Sequence, residues 1–171
     1  VALNLNELVQ QVNGEFSERF EARSLELICH LPLESALLKA DGRYIWRVLE
    51  NLYGNAAKYA MPSTRVYVDV VKKAGMVMLS IKNVSEQTLN ISADELMERF
   101  VRGDSSRTTE GSGLGLSIAK NLVILMGGSF ELYVDGDLFK AILTFPEARG
   151  ETAGRGEAME RQDFVLRKSE K

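Results

Sequence analysis

The chain has 171 residues, the length of one ordinary domain with room for a short appendage. Hydrophobic residues make up 45% and charged residues 26%, which is typical of a globular protein, and the formal net charge of −3 gives no basis for general binding to nucleic acid. Cys29 is the only cysteine, which excludes an intrachain disulfide and a cysteine-based zinc cluster. No apolar run approaches the ~20 residues of a membrane helix. Because the chain begins with Val1, we expect a fragment of a longer protein.

The first 60 residues predict two helices separated by extended segments. Apolar residues recur at helical spacing over 4–22, and "LELICHLP" (25–32) is typical of a strand that its proline ends. A second short strand is expected over 36–39. Asp41 is the expected N-cap of a helix that runs to about residue 59.

The rest of the chain predicts two hairpins with helical segments between them. The expected elements are a hairpin of 65–71 and 76–83, a short helix over 92–99, a polar loop over 101–112, a helix over 113–128 that is entered and left through glycines, and a hairpin around "DGD" (135–137). This order favours an α+β fold, a two-layer sandwich with helices on one face of a mixed, mostly antiparallel sheet.

The last 25 residues differ in composition from the rest. Residues 147–171 carry six acidic and six basic residues, and Phe164 is their only aromatic. Such a segment cannot bury much apolar surface. We therefore expect a domain over 1–146 followed by a tail that is either disordered or a short peripheral helix near 157–167.

The second helix carries an unusual polar stripe in "ENLYGNAAKYA" (50–60). At about 100° per residue, Asn55 lies roughly 40° from Asn51, Lys58 about 20° to the other side and Tyr59 about 80° away. Asparagine is a poor helix former, so the sequence gives up helix propensity at this face. Two amides, an ammonium and a phenol suit a ligand that has charge, a metal ion and a flat ring. The alternative interpretation is a solvated polar face.

A glycine-rich stretch, "EGSGLGLSIAKNL" (110–122), precedes the third long helix. Backbone N–H groups of such a loop, together with the positive end of a helix, can bind an anion. The loop lacks the Gly-Lys-Ser/Thr of a Walker A motif, and no strand leads directly into it as in a dinucleotide fingerprint.

Three motifs in a fixed order resemble a known family. "NLYGNAAKYA", "ERFVRGDSSR" and "GSGLGL" resemble the N, F and G2 boxes of the ATP-binding domain of sensor histidine kinases, within the superfamily that includes gyrase B, Hsp90 and MutL. The resemblance covers about residues 1–146 and includes the opening "NLNELVQQV" helix. It implies the Bergerat-type ATP-binding fold, and ATP with Mg²⁺ as ligands.

The resemblance implies a role for each matching residue. Asn55 would coordinate Mg²⁺ through its side-chain oxygen, Lys58 would contact the phosphates, and Tyr59 would pack on the adenine. Arg102 would act on the γ-phosphate, where charge develops during transfer. The nucleotide-binding loop would comprise Gly111, Gly113, Leu114 and Gly115.

Two positions carry an amide where an acid is usual. An acidic residue that activates water usually stands in the place of Asn51 in ATP-hydrolysing relatives, and an amide cannot act as a general base. Asn51 therefore favours phosphoryl transfer over hydrolysis. The family's adenine-reading box is typically Asp-x-Gly-x-Gly, whereas the chain has Asn83 and no glycines in "IKNVSEQTLN". An amide still offers an acceptor to adenine but not a charge-assisted bond.

The resemblance predicts a catalytic domain that delivers the γ-phosphate to a histidine on an upstream dimerisation and phosphoacceptor domain. The parent protein would be a homodimeric bacterial membrane receptor with this domain in the cytoplasm, and a response regulator would be its indirect partner. The isolated chain is not expected to autophosphorylate, because His30, its only histidine, falls in a predicted strand and is assigned a structural role. The alternatives are a nucleotide-poor interaction module, and a serine kinase or ATPase of the same superfamily.

Overall fold

A computed structural model describes residues 2–87 and 115–148. Its helices and strands, in chain order, are β1 (Ala2–Asn4), α1 (Leu5–Ala22), β2 (Glu26–His30), β3 (Leu37–Lys39), α2 (Gly42–Tyr59), β4 (Arg65–Lys73), β5 (Met76–Val84), α3 (Gly115–Leu125), β6 (Ser129–Asp135) and β7 (Leu138–Pro146).

The main sheet has five strands in the order β2-β4-β5-β7-β6. Strands β2 and β4 run parallel, and every other neighbouring pair runs antiparallel. A separate antiparallel pair joins β1 to β3. The expected α+β sandwich with a mixed, mostly antiparallel sheet is therefore confirmed.

The two long helices begin at side chains that accept a backbone hydrogen bond. Asn4 accepts from the N–H of Asn6 at 3.0 Å, and Asp41 accepts from the N–H of Arg43 at 2.9 Å. Each cap satisfies one of the N–H groups that a helix start leaves without a partner. The N-cap predicted at Asp41 is confirmed.

The core lies between the helices and one face of the sheet. Alternate residues of β4, β5 and β7 are buried, as the two-residue period of a strand requires when one face is covered. Helix α2 packs against α1, α3 and β5, so it lies at the centre of the helical layer. The site residues of α2 are thereby fixed on an element that contacts both layers.

The structure differs from the sequence prediction mainly in its smallest elements. Strand β1 was not predicted, because three residues are too few to show an alternating pattern. The short helix expected over 92–99, the loop over 101–112 and the tail from residue 149 lie outside the described residues. Within the described part, no helix is long and apolar enough to cross a membrane.

Candidate functional site

Helix α2 separates a core face from the polar stripe that its sequence predicts. Ile45, Leu49, Leu52 and Ala56 are buried, each at most 2% exposed. On the other side, Asn51, Asn55 and Tyr59 are half-buried and Lys58 is exposed. The Lys58 Nζ atom lies 5.2 Å from the centre of the Tyr59 ring, so the ammonium and the phenol share one region at the end of the helix. The polar stripe therefore lies outside the hydrophobic core, as the sequence predicts.

Asn51 meets the start of α3. A Cβ atom added at Gly115 would lie 3.7 Å from Cγ and Oδ1 of Asn51. The Asn51 side chain therefore packs directly against the backbone at the start of α3. The Asn51 Nδ2 atom is buried and has no hydrogen-bond partner among the described residues. A buried donor without an acceptor costs about 1–3 kcal/mol, so native structures rarely keep one. This amide is therefore suited to donate to an oxygen of a ligand or of bound water at the entrance to α3.

Asn83 is one of two buried polar residues in the described structure, with 4% of its surface exposed. It shares the buried face of β5 with Val77, Leu79 and Ile81. β5 is the central strand, and Asn83 is paired with Val66 on one side and Phe139 on the other. Its side chain is nevertheless near the strand's end, as the penultimate residue.

The end of β5 is joined to the end of α2. The N–H of Met61 donates to the Val84 carbonyl at 2.8 Å, and the N–H of Glu86 donates to the Tyr59 carbonyl at 2.9 Å. An isolated bridge links Ala60 to the residue after Val84. These contacts bring Asn83 and Tyr59, which lie far apart in sequence, to neighbouring ends of two packed elements. The structure thus gathers Asn51, Asn55, Lys58, Tyr59, Asn83 and Gly115 around α2.

Four of the predicted site residues cannot be placed. Arg102, Gly111, Gly113 and Leu114 lie outside the described residues, so their roles stay predictions.

His30 lies in β2, as its sequence context predicts, on the strand next to β4. Its Nδ1 atom is 2.9 Å from Oδ1 of Asp69, the residue opposite it in the parallel ladder. The ring is part of a pair that joins two neighbouring strands. This geometry agrees with a structural role, which remains a prediction.

The structure adds two residues to the site that sequence reasoning missed. The Arg23 side chain donates to carbonyls of Ala57 and Lys58, and it forms an ion pair with Glu86. Arg23 lies more than 30 residues before its helix partners in sequence. A single basic residue at a helix end gives no signal for such a contact.

Comparison with known proteins agrees with this geometry. A family model described as histidine kinase-, DNA gyrase B- and HSP90-like ATPase matches residues 40–160, which include α2 and α3. The chain is 30% identical over 133 residues to the probable sensor protein PcoS of Escherichia coli, an alignment that covers 76% of this chain and 28% of that protein. It is 31% identical over 127 residues to the sensor protein VanSC of Enterococcus gallinarum, covering 73% of this chain and 35% of that protein.

A solved structure extends the comparison to the fold. The nucleotide-free catalytic domain of histidine kinase ThkA superposes with a TM-score of 0.72 at 25% identity, covering 87% of this chain and 98% of that domain. The chain spans about a third of the length of the sensor proteins above, but nearly all of this isolated catalytic domain. With a family model matched over more than half of its residues, the chain belongs to the family of histidine kinase-, DNA gyrase B- and HSP90-like ATPases.

Proposed function

We propose that the chain is the ATP-binding catalytic domain of a two-component sensor histidine kinase, and that it delivers the γ-phosphate of ATP to a histidine on an upstream dimerisation domain. The observation that carries the proposal is the polar stripe of α2, which lies outside the core and whose Asn51 side chain packs against Gly115 at the start of α3. The sensor proteins and the histidine kinase domain that it resembles support the same function. The parent protein would be a homodimeric membrane receptor that passes the phosphoryl group to a response regulator.

In this proposal, each described site residue contacts a different part of the nucleotide. Tyr59, at the last turn of α2, would pack its ring against the adenine, and Asn83 would read the adenine edge from the end of β5. Lys58 would meet the phosphates as a mobile point charge. The Asn51 amide would hold the ligand or its water where α3 begins, and cannot abstract a proton from water at neutral pH.

Magnesium fits the donors of this site better than a transition metal does. Within residues 2–87 and 115–148, no three His, Cys, Asp or Glu side chains cluster around a possible metal position. A neutral amide oxygen together with phosphate oxygens and water suits Mg²⁺, which keeps several waters and takes few protein ligands. Asn55, half-buried on the stripe, would supply that oxygen. When bound, Mg²⁺ would neutralise charge on the phosphates.

Calorimetric titration with ATP, in the presence of Mg²⁺ and then of excess chelator, tests the proposal. The parent chain should bind Mg-ATP, and Asn55→Ala should weaken Mg-ATP by at least about tenfold while changing metal-free ATP little. Even outer-shell partners of a metal contribute about 10- to 100-fold to its affinity, and a direct ligand should contribute no less.

Asn121→Ala is the matched control, since it removes an exposed helical amide outside the α2 stripe. Its Mg-ATP affinity should equal that of the parent. A parent chain that shows no heat of binding at millimolar Mg-ATP would overturn the kinase proposal and favour the nucleotide-poor interaction module. Equal binding by Asn55→Ala would overturn only the metal assignment.

A further inference from the structure

The last turn of α2 has all of its terminal carbonyls satisfied. A helix leaves its last four C=O groups without intrahelical partners, and its ends fray when nothing replaces them. Here the Ala56 carbonyl accepts from the N–H of Ala60 at 3.0 Å, and the Tyr59 carbonyl accepts from the N–H of Glu86 at 2.9 Å. The two carbonyls between them, at 57 and 58, are the ones that need a donor from outside the helix.

Arg23 supplies that donor. Its Nη1 atom donates to the Ala57 carbonyl at 2.8 Å and to the Lys58 carbonyl at 2.7 Å. Its Nη2 atom donates to Oε2 of Glu86 at 2.9 Å. One guanidinium therefore connects the end of α2 to the segment that leaves β5, and we call this set of contacts the Arg23 bridge.

The backbone of Arg23 is itself fixed. Arg23 is the C-cap of α1, where its N–H donates to the Phe20 carbonyl at 3.2 Å. Its own carbonyl accepts from the N–H of Ser63 at 3.1 Å, and its side chain is 24% exposed. The guanidinium is thus held from the α1 side as well, and a cation in this place also opposes the negative end of the α2 dipole.

From this geometry we infer that Arg23 is a positioning residue for nucleotide binding. It fixes the backbone from which the Lys58 and Tyr59 side chains project, and these two residues lie in the turn of α2 that would otherwise fray. The inference rests on the proposed function, because it assigns Lys58 and Tyr59 to the phosphates and the adenine. Arg23 itself touches neither in this assignment.

The two halves of the Arg23 bridge should contribute unequally. The ion pair with Glu86 is partly solvated, since the Glu86 side chain is 54% exposed, and exposed ion pairs contribute little. The bonds to Ala57 and Lys58 replace missing helix bonds and depend on the forked, planar donor set of arginine. Glu86→Gln should therefore have a mild effect, Arg23→Lys an intermediate one and Arg23→Ala the largest.

The experiment is titration of Mg-ATP against the parent, the three variants and Arg65→Ala, at a temperature where melting curves show that every protein is folded. A role in global stability alone leaves affinity unchanged under that condition. We expect Arg23→Ala to weaken Mg-ATP by about tenfold or more, because the variant loses both charge-assisted hydrogen bonds that hold the last turn of α2. Arg23→Lys should recover part of the loss, and Glu86→Gln should stay within about threefold of the parent.

Arg65→Ala is the matched control. Arg65 forms a comparable but more exposed ion pair with Glu26, at 3.4 Å between β2 and β4. The Arg65→Ala variant should therefore bind Mg-ATP as tightly as the parent. If Arg23→Ala is folded and binds as tightly as the parent, Arg23 is a structural cap only and the inference is wrong. If Arg23→Ala does not fold, the difference between Arg23→Lys and the parent decides the question in the same way. Hydrogen exchange of the Glu86 amide, which donates to the Tyr59 carbonyl, reports separately on whether the Arg23 bridge holds the end of α2. If the parent binds no nucleotide but this amide exchanges faster in Arg23→Ala than in the parent, the proposed function is wrong and the bridge has a structural role only.

Discussion

At the scale of single residues, amides carry the unusual chemistry of this chain. In the proposed function, Asn51 takes the position at which ATP-hydrolysing relatives usually carry a water-activating acid, and its Nδ2 atom is buried without a partner in the described structure. Asn83 is buried at the end of the central strand. An amide both donates and accepts, whereas an ionised carboxylate only accepts. Under the proposed function, an amide in place of a carboxylate would remove a general base at Asn51 and would relax the recognition of adenine at Asn83.

Asn83→Asp should widen the preference for ATP over GTP. The 6-amino group of adenine donates, the corresponding carbonyl of guanine accepts, and a carboxylate cannot donate to that carbonyl as a rotated amide can. The two side chains have nearly the same shape, so packing changes little. We expect a change in preference of about 1 kcal/mol, roughly fivefold, and a similar weakening of ATP by Asn83→Ala. Paired titrations with ATP and GTP measure both.

Burial adds a second expected effect of Asn83→Asp. A charge at a site only 4% exposed is poorly solvated, so the variant should melt at a lower temperature than the parent when no nucleotide is present. Unchanged melting and unchanged nucleotide preference in both variants would show that Asn83 is an ordinary strand residue and that another group recognises the adenine.

At the scale of elements, hydrogen bonds at the C-terminal ends of the helices hold the backbone in place next to the candidate site. α2 ends at the Arg23 bridge. α3 ends in the two hydrogen bonds of a Schellman C-cap, from the N–H of Gly128 to the Val123 carbonyl and from the N–H of Gly127 to the Ile124 carbonyl. Gly127 has a φ of +82°, which favours glycine. The glycine exit that the sequence predicts for this helix is confirmed.

Two glycine-to-alanine changes should shift stability in opposite directions. In α1, a Cβ atom at Gly14 meets nothing within 4 Å, so Gly14→Ala should stabilise the fold by up to about 1 kcal/mol through helix propensity. After α3, a Cβ atom at Gly128 would lie 2.6 Å from Cε1 of the buried Phe145 ring and 2.9 Å from the Thr144 carbonyl oxygen. Gly128→Ala should therefore cost about 1–3 kcal/mol.

Urea denaturation of both variants and the parent measures these changes, and each variant is the control for the other because the same methyl group is added. A stabilised Gly128→Ala would mean that the end of α3 and β7 are packed less closely than the structure shows.

At the scale of the whole molecule, one polar contact is enclosed between α1, α2 and β2. The Tyr53 hydroxyl donates to Oδ1 of Asn13, and the Tyr53 ring packs against Phe16 and Phe20 with centroid distances of 5.6 Å and 6.1 Å. Burial raises the pKa of Tyr53 well above its usual value, and the nearby Cys29 raises it further. Burial also raises the pKa of the Cys29 thiol, against a lowering by its hydrogen bond to Asn13.

These shifts predict a loss of stability at alkaline pH. Both groups ionise first in the unfolded chain, near the ordinary pKa values of 9.0 and 10.0, so their contribution is complete below about pH 9 and falls as the pH rises through the raised folded values. Each group contributes at most about 1.4 kcal/mol per pH unit to that fall. Tyr53→Phe should lower the free energy of unfolding by about 1 kcal/mol at pH 7, because Asn13 loses its donor. Above pH 10, the stability of this variant should fall less steeply with pH than that of the parent.

Denaturation curves between pH 7 and 11 give the slope of stability against pH for each protein. Tyr44→Phe, which removes a phenol that is 40% exposed, is measured alongside as the control for the loss of a tyrosine hydroxyl outside the core. Parallel curves for Tyr53→Phe and the parent throughout this range would contradict the assignment of the alkaline loss to Tyr53.

The sequence by itself determined the elements whose signal is local. The helical spacing of apolar residues in α1 and α2, the cap at Asp41, the alternation in β4, β5 and β7, and the polar stripe from Asn51 to Tyr59 all follow from periods of 3.6 and 2 within one segment. The three motifs in order also pointed to the family, since their spacing reflects a site that one fold must assemble.

Only the tertiary structure decided which distant groups meet. The strand order puts Asn83 in the centre of the sheet rather than at its edge, the start of α3 lies against Asn51, and Arg23 reaches the carbonyls of Ala57 and Lys58 across more than 30 residues. Such contacts leave no periodic trace in the sequence, because they depend on how packed layers are arranged and on backbone groups that every residue carries alike. The candidate site is therefore local in its side chains and tertiary in the contacts that hold them.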